Sequence, residues 1–163
     1  MNRSPRPAIG IAGWVLLSFA AAAVGAVASA NAADFYAQLS KPSWAPPAYL
    51  FGPVWSVLYF LMGLAAGLVW RVRGFSGAPT ALALFIVQLI VNGLWTWTFF
   101  AWRDGALAFV TIVVLLLMIL ATLLTFARIR PLAAALLVPY LLWVGYATAL
   151  TYTVWQLNPR ILA

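Results

Sequence analysis

The chain has 163 residues, 66% hydrophobic and 7% charged, with a mean hydropathy of +1.04, a usage far from that of soluble domains and one that marks an integral membrane protein. The formal charge of +7 comes from nine basic residues set singly or in near pairs at the ends of apolar runs, which excludes a nucleic-acid surface. Cys and His are absent and Asp34 and Asp104 are the only acids, so disulfides, thiol catalysis, His-based triads, paired-carboxylate hydrolysis and ordinary metal sites are excluded.

Stretches such as LAFVTIVVLLLMILATLLTF show no polar alternation, so the spans read as helices rather than barrel strands. The first runs over residues 9–30. Its opening MNRSPRPAIG and closing ASANAA also fit a secretory signal peptide, but an apolar run of ~20 residues exceeds the usual ~7–15 of a signal core and favours a retained helix. Residues 31–46 form a loop, and the second span covers 47–70. Between them lies KPSWAPPAYLFGPVW, residues 41–55. Proline fixes φ and lacks a donor, so Pro46 and Pro47 suit a stiff turn into a helix start, while Gly52 and Pro53, one turn further on, are expected to kink the helix.

The third, fourth and fifth spans cover 79–101, 105–127 and 132–157, giving one all-α, five-helix domain over 1–163 with no internal repeat. Small residues at four-residue spacing, Gly63 with Gly67 and Ala21 with Gly25 and Ser29, suggest close helix contact rather than ligand sites. Arg3, Arg6, Arg71, Arg73, Arg128 and Arg130 fall on one side of the membrane and Lys41, Arg103 and Arg160 on the other. By the positive-inside rule the N-terminus is cytoplasmic and the loop 31–46 lies outside. No ionisable side chain lies well inside a span, which argues against ion-coupled transport.

The nine tryptophans separate into two groups. Trp14, Trp44, Trp70, Trp102 and Trp155 stand near segment ends, as an interfacial belt requires, but Trp55, Trp95, Trp97 and Trp143 do not. Counting ~1.5 Å per residue puts Trp55 and Trp95 in the outer half of the bilayer and Trp143 near its middle. Tyr59 follows Trp55 by four, Ala147 follows Trp143 by four and Asn92 precedes Trp95 by three, so each pair shares a helix face. Any one such ring is ordinary packing. Together with Gly93 and Gly145 they compose an apolar pocket with one orienting amide, suited to a flat hydrophobic ligand.

Three stretches carry a resemblance over nearly the whole chain: FYAQLSKPSWAPPAYLFGPVWSVLYFLMG from Phe35, QLIVNGLWTWTFF from Gln88 and VPYLLWVGYATALTYTVW from Val138. With Trp44, Pro46 and Pro47 as a W-x-P-P element, the sequence resembles a bacterial member of the translocator protein family, also called the tryptophan-rich sensory protein or TspO/MBR family. The resemblance implies a five-helix bundle, often homodimeric, in which the loop 31–46 folds as a lid over a pocket for protoporphyrin IX or benzodiazepine-site compounds, and with it the stretch 41–55 is read as both hinge of that lid and wall of the pocket. The implied pocket positions are Tyr36, Pro46, Trp55, Tyr59, Asn92, Trp95, Phe99, Trp143 and Ala147. No cofactor or metal is required. Strong cholesterol recognition is not expected, because Leu150 and Tyr152 lack a basic residue within the spacing of the proposed sterol pattern, Arg160 being too distant. Thr151 stands where mitochondrial members tend to have asparagine.

The resulting expectation is a membrane receptor or sensor for tetrapyrroles. One alternative is an enzyme that degrades porphyrin in light, with Trp55 and Trp143 as the reactive pair; another is a porphyrin or lipid carrier. A bacterial inner membrane is the expected location, with the outer membrane as the alternative.

Overall fold

The computed structural model describes residues 6–163; Arg3 and the leader-like MNRSP lie outside them, as does the side chain of Arg6. The described residues form α-helices α1 (Arg6–Ala28), α2 (Ala32–Gln38), α3 (Phe51–Gly77), α4 (Pro79–Thr96), α5 (Gly105–Ile129) and α6 (Pro131–Leu157), with no strand among them. A 3-10 turn, Ala48–Leu50, leads into α3, and a π-helical turn, Trp97–Ala101, extends α4. Five helical segments are long and apolar enough to cross a membrane: Pro7–Ala28, Ala48–Gly77, Pro79–Ala101, Gly105–Ile129 and Pro131–Leu157.

These five pack as a ring in the order α1, α3, α6, α5, α4 and back to α1. Small residues set the close approaches. A β-carbon on Gly63 would collide with the backbone of Val15, and one on Gly67 would come within 2.9 Å of Ile11 Cα, so α1 lies directly on α3 along this stretch. Gly105 accommodates the indole of Trp155 in the same way, joining α5 to α6. Away from Gly63, toward the start of α3, α1 separates from its neighbours, and space opens on both of its flanks.

Three expectations change. Residues 31–46 are not wholly loop, since Ala32–Gln38 is helical; seven residues are too few to register in an apolar periodicity. The second span continues beyond Trp70 to Gly77, carrying exposed Arg71 and Arg73 past the apolar run, with its one non-helical residue at Gly74 (φ 65°). Pro53 does not interrupt the helix. It is the third residue of α3, in the first turn, where the fixed φ of proline suits the helix.

The segment 31–46 is fastened over the bundle at several points. Asn158, just past α6, accepts from Ser40 N at 2.8 Å and donates to Ser40 O at 2.8 Å and to Val154 O at 2.7 Å. Tyr146 donates to Trp44 O at 2.6 Å. Lys41 Nζ donates to the carbonyls of Tyr36 and Leu39, satisfying the end of α2, and lies 4.8 Å from the Tyr36 ring centre. The Arg103 guanidinium covers the Phe35 ring at 4.6 Å, and Arg103 adopts a left-handed backbone (φ 56°) in the turn between the π-helical segment and α5.

Candidate functional site

Beneath α2, between α1 on one side and α3 and α4 on the other, lies a cavity of about 480 Å³. Its size falls within the range of small-molecule sites, ~300–1,000 Å³. Helix α3 contributes Phe51, Trp55, Ser56 and Tyr59; α4 contributes Asn92, Trp95 and Thr96, and the π-helical turn adds Phe100. The α1 wall consists of small residues, among them Ala22, Gly25 and Ser29, with Phe19 at one edge. Tyr36 and Ala33 of α2 form the roof.

The aromatic wall is continuous. Trp55 lies 5.7 Å from Tyr59, 6.0 Å from Trp95 and 6.2 Å from Tyr140, ring centre to ring centre. These separations are typical of favourable aromatic pairs. Helix periodicity is the local reason: Trp55 and Tyr59 are four residues apart on α3, and Asn92, Trp95 and Thr96 fall within one turn of α4.

Behind the wall runs a chain of buried polar groups. Tyr59 Oη donates to Asn92 Oδ1 (2.7 Å), Asn92 Nδ2 donates to Tyr140 Oη (2.8 Å), and Tyr140 Oη donates to Gln88 Oε1 (2.7 Å). Gln88 Nε2 ends the chain at Met62 Sδ, 3.9 Å away. Each member satisfies its neighbour, which is what buried polar side chains need in an apolar surrounding. The series fixes Asn92 from behind, so its amide keeps one orientation at the cavity floor. In the roof, Tyr36 Oη donates to Pro46 O at 2.9 Å. Burial first, and then the nearby Tyr146, raise the Tyr36 pKa above its ordinary value, so it remains a neutral donor.

Of the nine residues expected at the site, Tyr36, Trp55, Tyr59, Asn92 and Trp95 line one cavity. The other four do not line it. Pro46 meets it only through the carbonyl that holds Tyr36. Phe99 packs on Phe35 and Trp95, and Phe100 lines the cavity instead. Ala147 is buried within the bundle. Trp143 contacts Phe51 at 6.2 Å and Tyr146 at 5.6 Å, with its buried indole N–H unpartnered.

Trp143 thus lies level with the first residue of α3 rather than deep in the bundle. Helix α6 extends past that level to hold the lid through Asn158, so counting inward from its end overstates the depth. The α1 wall was missed because Gly25 and Ser29 read as helix-contact residues. Here they leave room for the cavity, and a β-carbon on Gly25 would meet Thr96 only at 3.6 Å.

The opposite flank of α1 carries a second groove of about 460 Å³, formed with α4 by Leu17, Ala21, Val24, Ile90, Gly93 and Leu94 among others. Among the described residues that line it, the one polar side-chain group is the indole N–H of Trp97, so it has fewer means of orienting a ligand than the first cavity.

Comparison with known proteins agrees with this architecture. A sequence profile of the TspO/MBR family matches residues 14–156. The tryptophan-rich sensory protein of Cereibacter sphaeroides is 39% identical over 149 residues, 89% of this chain and 92% of its own. The tryptophan-rich protein TspO of Chlorobaculum tepidum is 41% identical over 129 residues, 77% of this chain and 80% of its own. The human translocator protein is 41% identical over 126 residues, 76% of this chain and 75% of its own.

Proposed function

Because the chain belongs to the TspO/MBR family and is a multi-pass membrane protein, we propose that it is a membrane receptor or sensor that takes a flat hydrophobic ligand into the cavity beneath α2. Protoporphyrin IX is the ligand to test first, with benzodiazepine-site compounds as a second chemical group. One observation carries the reading: a single cavity of about 480 Å³ combines a continuous aromatic wall, Trp55 with Tyr59 and Trp95, with a fixed amide at Asn92. The rings supply area and face-on contact, and the amide and roof tyrosine supply orientation.

The test is a quenching titration of tryptophan fluorescence by protoporphyrin in the dark, using the parent chain and Trp55→Ala. Loss of one stacked ring is worth ~1–3 kcal/mol, so the variant should bind about tenfold more weakly. Unchanged affinity would place the ligand elsewhere.

The photochemical alternative retains Trp55, whose ring is in the wall, as its electron donor. It is not supported at Trp143, which stands behind Phe51 and outside the cavity lining.

A further inference from the structure

Basic residues occupy both ends of the bundle, but acids occupy only one. Asp34 in α2 and Asp104 at the start of α5 are the chain's two acids, and both stand at the lid end with Lys41, Arg103 and Arg160. At the opposite end, where α3 and α5 finish and α6 begins, Arg71, Arg73, Arg128 and Arg130 are all exposed. No Asp or Glu reaches that end, so their counter-charge has to come from outside the protein.

Two of the four stand where the lipid is. Val114, Leu117 and Leu124 are exposed along one face of α5, and Arg128 follows Leu124 by four residues on the same face. On α3 the face bearing exposed Val57 and Phe60 passes half-buried Leu68 and reaches Arg71 three residues later. Each guanidinium thus ends an apolar face presented to acyl chains, at the level where headgroups begin. Arg73 and Arg130 carry the charge just beyond. Because α6 packs against both α3 and α5, the four arginines share one arc of the ring.

Membrane orientation by positive charge would be served equally by lysine. Every basic residue at this end is instead arginine, whose planar fork matches two phosphate oxygens at once.

We infer that this end of the bundle is a binding surface for anionic phospholipid. Arg71 and Arg128 hold the phosphates of lipids whose acyl chains lie on the exposed faces of α3 and α5, and Arg73 and Arg130 add attraction for a net negative headgroup. A phosphatidylcholine headgroup brings its own cation, which the arginines repel; a phosphatidylglycerol headgroup does not. The surface lies at the end away from the lid cavity, and the inference does not depend on what that cavity binds.

The full chain is placed in nanodiscs holding equal amounts of phosphatidylglycerol and phosphatidylcholine with the same acyl chains, and native mass spectrometry counts the lipids that stay bound. Phosphatidylglycerol should be retained about fivefold over phosphatidylcholine, the equivalent of one arginine at an anionic surface. In the Arg71→Gln/Arg128→Gln double variant that ratio should fall toward one, and each single substitution should give part of the fall. Arg160→Gln, exposed at the lid end, should leave it unchanged. The substituted side chains are all exposed, so the fold should survive, and unfolding temperature in phosphatidylcholine alone checks this. If the double variant unfolds, the single variants carry the test. A parent ratio near one, a ratio that the Arg71 and Arg128 substitutions leave unchanged, or an equal fall in Arg160→Gln overturns the inference.

Discussion

Tyr140 connects Asn92 to Gln88 through one hydroxyl that both accepts and donates. In Tyr140→Phe an amide N–H and a carbonyl oxygen lose their partners inside the bundle, at a cost of about 1 to 2 kcal/mol. Trp95→Phe is the contrast: its indole N–H has no partner to lose, and the change should cost less than about 1 kcal/mol. Thermal unfolding in detergent should therefore fall clearly for the first variant and little for the second; the reverse order would refute the hydrogen-bond chain. At this scale much of the cavity lining was legible in the sequence, because Trp55, Tyr59, Asn92 and Trp95 obey regular helical spacing. The choice between Phe99 and Phe100 was not legible. Regular geometry puts Phe99, seven residues after Asn92, on the cavity face, whereas the π-helical turn Trp97–Ala101 takes up an extra residue and brings Phe100 there instead.

Helix α1 owes its position to two glycines of α3. Gly63→Ala pushes Val15, and α1 with it, away from α3 and should destabilise by about 1 to 3 kcal/mol, distorting the cavity that α1 helps to wall. Gly93→Ala is its control, since a β-carbon there meets nothing within 4 Å and helix propensity favours alanine by ~0.5–1 kcal/mol. Comparable losses in the two would contradict the close approach of α1 and α3. The lid has an equally specific fastening. Asn158→Ala removes the bonds to both backbone groups of Ser40, so amide exchange at Ser40 and through α2 should accelerate at least tenfold while the spans remain protected. Unchanged exchange would mean that Tyr146 and Arg103 hold the lid without it. Long apolar spans announce themselves, and all five were legible. Helix α2 was not, because AADFYAQ is short and depends on contacts remote in sequence, among them Phe35 beneath Arg103 and against Phe99.

Across the whole molecule, charge separates by end: Arg71, Arg73, Arg128 and Arg130 lie at one end of the bundle, and Lys41, Arg103 and Arg160 at the lid end. We propose on this asymmetry that the lid faces away from the cytoplasm. The chain has no cysteine, so single cysteines report accessibility cleanly. Ser43→Cys, exposed in the lid, should react with a membrane-impermeant maleimide before the membrane is breached and Ser76→Cys only afterwards; the opposite pattern would invert the topology. Sequence located the aromatic residues but could not say which flank of α1 would open, since that depends on how far α1 leans from its neighbours. The polar flank, with Asn92 and Tyr36, is the one proposed for the ligand; the groove against α4 has only the indole of Trp97 to offer a side-chain polar atom among its described lining residues. The most direct measurement is an experimental structure of the protein with protoporphyrin IX bound. The macrocycle should lie beneath α2, stacked on Trp55 and Trp95 with Asn92 at its edge; a porphyrin found only in the α1–α4 groove or on the outer surface of the bundle would contradict the account.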